Sequence, residues 1–84
     1  MNNHARLGIS LHVYNEITRI RKCFDSLSRQ DSNFVCVISD NCSTDGTYEL
    51  LSELVKSDNR FVLIRQAFHV SQMQNFVSCI EHLL

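Results

Sequence analysis

From Leu7 to Val13 apolar residues alternate with Gly8, Ser10 and His12, the period of a strand. Beyond Tyr14-Asn15-Glu16 the apolar residues recur as Ile17, Ile20, Phe24 and Leu27. That is helical spacing, and it predicts a strand running into a helix with Asn15 at the N-cap. Phe34-Val35-Cys36-Val37-Ile38 is apolar on both faces and rich in β-branched residues, as a buried parallel strand should be. A polar turn from Ser39 to Gly46 leads to Tyr48, Leu51, Leu54 and Val55 on one helical face, with Glu49, Glu53 and Lys56 off it. Phe61-Val62-Leu63-Ile64 follows the Ser57-Asp58-Asn59 stop as a third strand. Ser71 is placed to cap a last helix carrying Met73, Phe76, Val77, Ile80, Leu83 and Leu84.

The order is therefore βαβαβα, an α/β fold. Strands alternating with helices imply a parallel sheet with right-handed crossovers. The expectation is half of a doubly wound sheet, its strands in the order 3-2-1 with helices on both faces, forming a single domain over residues 1–84. In such a sheet the first strand lies at the centre, and no later strand is visible to pair with its other edge. The chain reads as the front half of a longer, truncated domain, or as one that pairs this edge with a second copy.

Composition narrows the function classes. With 84 residues, 44% hydrophobic, 20% charged and a formal net charge of −1, the chain is an ordinary globular one with a small core. Its eight Lys and Arg are offset by nine carboxylates, and they form none of the basic stripe that nucleic-acid binding needs. The apolar run 34–38 is far too short to span a bilayer, and Met1-Asn2-Asn3-His4-Ala5-Arg6 carries no secretion signal, so a cytoplasmic location is expected. Cys23, Cys36, Cys42 and Cys79 form no C-x-x-C pair and read as incidental thiols rather than zinc ligands or disulfides. Asn41-Cys42-Ser43 fits a glycosylation acceptor by chance.

Ligands of open α/β sheets sit beyond the carboxyl ends of the strands, which selects His12 to Glu16, Asp40 to Asp45 and Gln66 to Ser71. Gly8 and Gly46 are the only glycines, so neither a dinucleotide fingerprint nor a phosphate-binding P-loop exists. Asp40-Asn41-Cys42-Ser43-Thr44-Asp45-Gly46 has Cys42 and Thr44 at the third and fifth positions, where a calcium loop carries Asp or Asn, and its glycine is one place late. A receiver domain would need an acidic cluster after the first strand, where Glu16 stands alone. Asp40 instead leaves the second strand as a carboxylate directed at the cleft. Ser43 or Thr44 is expected to cap the following helix, with Asp45 at its positive end. Tyr14 at a strand exit and a carboxylate beside it suit a nucleobase, the ring stacking while the acid accepts an N–H. A diphosphate among Asp40, Asp45 and Glu16 would need a divalent cation. His12 and His69 line the cleft or are merely solvated; Phe24, Phe34, Phe61 and Phe76 are expected in the core.

Taken in order, Ile9-Ser10-Leu11-His12-Val13-Tyr14-Asn15-Glu16, Cys23-Phe24-Asp25-Ser26-Leu27 with Gln30, Phe34 to Asp40, Asn41-Cys42-Ser43-Thr44-Asp45-Gly46-Thr47 and Asn75 resemble the N-terminal half of family 2 glycosyltransferases, inverting nucleotide-sugar enzymes. The resemblance covers nearly the whole chain and implies a GT-A (Rossmann-like) fold. It implies that Tyr14 stacks near the base, Asp40 reads its edge, often uracil, and Glu16 lines the nucleotide pocket, with His12, Asn15, Asn41 and His69 around them. His12, His69 and Gln74 depart from the residues usual at their positions. The family's divalent cation, Mg2+ or Mn2+, is held by a D-x-D motif that these residues lack, and the acceptor-activating base also lies further along. The implied function is the donor-binding part of a transferase, taking a UDP-linked sugar for transfer to an acceptor hydroxyl, with little activity of its own. The resemblance leaves room for peripheral membrane association of a full-length enzyme. The alternative is a non-catalytic interaction module, a homodimer through the open sheet edge.

Overall fold

The computed structural model describes residues 7–31, 33–71 and 74. Strand β1 spans Leu7–Val13, helix α1 Ile20–Ser28, strand β2 Phe34–Asp40, helix α2 Thr47–Leu54 with a 3-10 turn at Val55–Ser57, and strand β3 Phe61–Arg65. The strands form one parallel sheet in the order β1-β2-β3, the expected α/β half-sheet. Leu7 pairs with Phe34 through to Val13 with Asp40, and Cys36 pairs with Phe61 through to Asp40 with Arg65. All three strands thus end level, and their exit loops leave from one edge of the sheet.

Two crossovers stepping in the same direction put α1 and α2 on one face. There Val13, Phe34, Cys36, Ile38 and Phe61 of the sheet form one buried cluster with Ile20, Phe24 and Leu51 of the helices. Val37 and Ser39 point to the opposite face and are buried too. The central strand is therefore covered on both sides, the environment its unbroken apolar run requires. The expected last helix and Phe76 lie outside the described residues, apart from its start: the Gln74 N–H donates to Ser71 Oγ at 3.1 Å. No helix among the described residues is long and apolar enough to cross a membrane.

The start of α1 corrects the sequence reading. Asn15 is not its N-cap: it has φ +51°, and the helix begins at Ile20, after a turn in which the Glu16 carbonyl accepts the N–H groups of Arg19 and Ile20 at 2.9 and 2.8 Å. Asn tolerates the left-handed region better than most residues. Here that tolerance serves a sharp change of direction after β1.

At the opposite end of the sheet, the Phe61 ring lies 4.4 Å from Phe24 and 5.6 Å from Phe34, centroid to centroid. Arg60 caps this aromatic cluster, its guanidinium 4.2 Å over the Phe34 ring. The same group donates to the carbonyls of Gln30 and Ser28 at 2.8 and 3.0 Å and forks onto Asp58, tying the end of α1 to the start of β3. Hydrogen bonds from Arg60 hold the Asp58 carboxyl below its ordinary 3.8, against the smaller upward push of burial. Phe61→Ala removes the shared ring and leaves a cavity, so we predict a loss of about 3–5 kcal/mol. That is a large part of what a chain of this size has, and urea denaturation followed by circular dichroism measures it.

Candidate functional site

The loops leaving β1 and β2 are interlocked through the polar side chains of Ser43-Thr44-Asp45-Gly46-Thr47. Three successive backbone groups of the first loop end on three side chains of the second. The Asn15 N–H donates to Ser43 Oγ at 2.9 Å, the Glu16 N–H to Thr47 Oγ1 at 2.9 Å, and the Ile17 N–H to Asp45 Oδ2 at 3.1 Å. In return the Thr44 N–H donates to Asn15 Oδ1 at 2.8 Å. Backbone donors that leave a strand need acceptors once water is excluded, and here the neighbouring loop supplies them.

Beneath this lock lies Asp40, 0% exposed. Its Oδ1 accepts the Ser43 hydroxyl at 2.6 Å and its Oδ2 the Ser43 N–H at 2.9 Å, while Arg65 Nε stands 3.7 Å away. Ser43 thus relays from Asp40 to Asn15, giving its hydroxyl proton to one and accepting the N–H of the other. The sequence directed Asp40 at the cleft; the structure places it under the loop, with both oxygens engaged.

The cap of α2 also differs from expectation. Ser43 and Thr44 do not cap it, because they face Asp40 and Asn15. Gly46, at φ +98°, is the N-cap residue, and Asp45 accepts both the N–H and the hydroxyl of Thr47. Asp45 therefore stands at the positive end of the helix, as the sequence suggested. Burial pushes its carboxyl up, but hydrogen bonds from the Thr47 hydroxyl and from the N–H groups of Ile17 and Thr47 outweigh this and hold it below 3.8.

Above the lock Tyr14 is 45% exposed, and its ring meets that of His69 edge-on, centroids 4.5 Å apart at 63°. His69 belongs to the segment after β3, which is fastened from below. Asn41, 2% exposed, donates from Nδ2 to the Val70 carbonyl at 2.7 Å and accepts the Val70 N–H on Oδ1 at 2.8 Å. The Gln66 N–H donates to the Asp40 carbonyl at 2.9 Å. Glu16 holds its carboxylate against Arg19 at 2.6 Å. With His12, Leu11, Val13, Ile20 and Cys23 these two line a groove of about 220 Å³ between β1 and α1. Tyr14 and His69 are thus brought together, and Asn15 is bound to the β2 exit loop, while His12 and Glu16 line the groove.

The sequence reading missed Arg65, which lies 4.4 Å over the Tyr48 ring and donates to the Ser43 carbonyl at 3.2 Å. The signal was a lone charge ending an apolar strand level with Asp40. Among the described residues no group of three or more His, Cys, Asp or Glu side chains is placed to hold a metal ion.

Three comparisons bear on this site. The sequence profile described as Glycosyl transferase family 2 matches residues 9–83. A protein described as "Putative glycosyltransferase EpsH", from Bacillus subtilis (strain 168), is 40% identical over 61 residues, which are 71% of this chain and 18% of that protein. The mannosyltransferase PcManGT from Pyrobaculum calidifontis, solved in complex with GDP-Man and Mn2+, superposes with a TM-score of 0.83 at 20% identity, over 94% of this chain and 24% of that one. The chain thus spans less than a quarter of the length of either relative.

Two outcomes follow from the interlocked loops. A Cβ added at Gly46 would meet Ile17 Cδ1 at an unstrained 3.7 Å. Gly46→Ala should therefore cost only its backbone penalty, about 1–2 kcal/mol, read from the urea midpoint. Asp45 has a folded pKa below its ordinary 3.8, so its contribution is complete above that value and is lost as pH falls through the folded one. Asp45→Asn should flatten the decline of thermal stability below about pH 4, and a decline as steep as in the wild-type chain counts against this role.

Proposed function

The chain belongs to glycosyl transferase family 2, and on that premise we propose that its strand-exit loops are the base-binding wall of a nucleotide-sugar donor pocket. The observation that carries this reading is the exposed Tyr14 ring beside His69, held over an interlocked loop pair at the carboxyl edge of the sheet. A flat, half-exposed ring on a rigid base offers a nucleobase a stacking face. In this reading Tyr14 contacts the base and Glu16 borders the pocket from the groove. Asp40 acts from beneath, holding Ser43 and through it the loop on which the donor rests. The proposed donor nucleotide is UDP; GDP, the nucleotide of the donor bound by the Pyrobaculum mannosyltransferase, is the competing choice. A cytoplasmic location belongs to the same reading.

The reaction in view is inverting transfer of the sugar to an acceptor hydroxyl. Its chemistry needs the leaving diphosphate neutralised and the acceptor deprotonated. The 84 residues contain no D-x-D sequence, and the described side chains converge on no metal-binding cluster. The proposed role of this stretch is therefore donor recognition, with transfer dependent on groups that it does not supply.

Amide NMR titration with UDP, GDP and ADP, with and without Mg2+, tests this. The expected result is shifts centred on Tyr14, Glu16 and the 40–47 loop, larger for one of the first two nucleotides than for ADP, and an affinity about five- to tenfold weaker in Tyr14→Ala. A folded chain that responds to none of the three, or sugar transfer by the 84-residue chain alone, contradicts the reading.

A further inference from the structure

We propose that Asn41 is a positioning residue for the donor pocket: its carboxamide pins Val70, sets His69 against Tyr14, and so governs nucleotide affinity without touching the nucleotide. The functional half of this inference rests on the loops being a donor pocket; the structural half does not.

Asn41 directly follows β2, and its own N–H donates to the Val13 carbonyl at 2.9 Å. The backbone that carries the side chain is thus fixed to the end of β1, where Tyr14 begins. The carboxamide then reaches across to the segment after β3 and meets both polar groups of one peptide unit pair, donating to the Val70 carbonyl and accepting the Val70 N–H. This reproduces the two-bond pairing of neighbouring strands, with a side chain in place of one strand. Both of its polar atoms are engaged and it is 2% exposed, so little of it is left to meet a ligand. Its effect must pass through Val70 to His69, the adjacent residue, whose ring stands edge-on to Tyr14. One residue therefore connects the exits of all three strands.

The clamp requires an amide. A carboxylate offers only acceptors and would set an oxygen against the Val70 carbonyl 2.7 Å away. A protonated carboxyl has one donor and one acceptor in nearly the same places. Asn41→Asp is thus a version of the clamp that pH can switch. Asp40 and Cys42 flank Asn41 in the chain, Arg65 ends β3, and Tyr14 and His69 form the ring pair, so the wild-type chain titrated in parallel subtracts their contributions.

The test follows the Val70 amide and the Tyr14 and His69 ring signals of both chains from pH 3 to pH 8, and measures UDP and GDP affinity at each end. In Asn41→Asp the signals should depart from wild type at high pH and return as the introduced carboxyl is protonated. Nucleotide affinity should be about tenfold weaker at high pH and recover with the rings. The Phe24 and Phe61 ring signals report folding separately; if Asn41→Asp unfolds, amide exchange of Val70 in the wild-type chain decides. Exchange at least about tenfold slower than in an unstructured peptide supports the clamp, and exchange at the unstructured rate overturns it. Ring signals that match wild type at high pH overturn it as well. Rings that move in Asn41→Asp while its nucleotide affinity stays equal to that of a nucleotide-binding wild-type chain overturn the positioning role. A wild-type chain that binds neither nucleotide refutes the donor-pocket reading and the functional half with it, and the ring signals still decide the clamp.

Discussion

The backbone donors of Asn15, Glu16 and Ile17 leave the sheet with no ladder to join, and most of what is distinctive about this chain follows from how they are satisfied. Asn15 turns at φ +51°, which ends any continuation of β1, and α1 does not start until Ile20. The N–H groups of Asn15 and Glu16, in part-buried bonds, would each cost up to about 1–3 kcal/mol if left without a partner, whereas that of Ile17 lies in an exposed bond. The Ser43, Thr47 and Asp45 side chains accept all three. The polar sequence after β2 is therefore a row of acceptors set to match a row of donors.

Satisfying those donors fixes the rest of the edge. Ser43 is aimed by Asp40, a buried carboxylate that persists because the Ser43 N–H and hydroxyl meet its oxygens and Arg65 stands nearby. Thr47 is aimed by Asp45, which also serves the first turn of α2. Gly46 supplies the left-handed turn that brings the two into place. The resulting base is stiff and polar, and Tyr14 and His69 stand on it. A recognition surface on loops gains from such support, because less ordering remains to be done when a ligand arrives.

Much of the fold was legible because its signals are local. Period-two alternation marked β1, the apolar run of residues 34–38 marked β2, and the 3-2-1 order followed from the alternation of elements. The rule that ligands lie at the carboxyl ends of strands also selected Tyr14 and His69, which the structure brings to 4.5 Å. Other features depend on partners about 30 residues away, and local pattern could not show them. Asn15 has the composition of an N-cap but faces Thr44, and Ser43 looks like a cap but accepts the N–H of Asn15. Asp40 itself could not be told from an exposed carboxylate, since its burial depends on how the following loop folds back. Arg60 and Arg65 escaped notice for the same reason: their long side chains act across elements rather than along one.

The second loop is built to accept the backbone of the first. Thr47 is the sharpest place to test it, being fully buried with a hydroxyl that accepts from Glu16 and donates to Asp45. Thr47→Val keeps the shape and removes only that hydroxyl, whereas Thr47→Ser keeps the hydroxyl and loses a methyl. The measurement is the stability of both variants by urea denaturation. Thr47→Val should lose about 1–3 kcal/mol, and Thr47→Ser less. A Thr47→Val chain as stable as wild type, or a larger loss for Thr47→Ser, would contradict this.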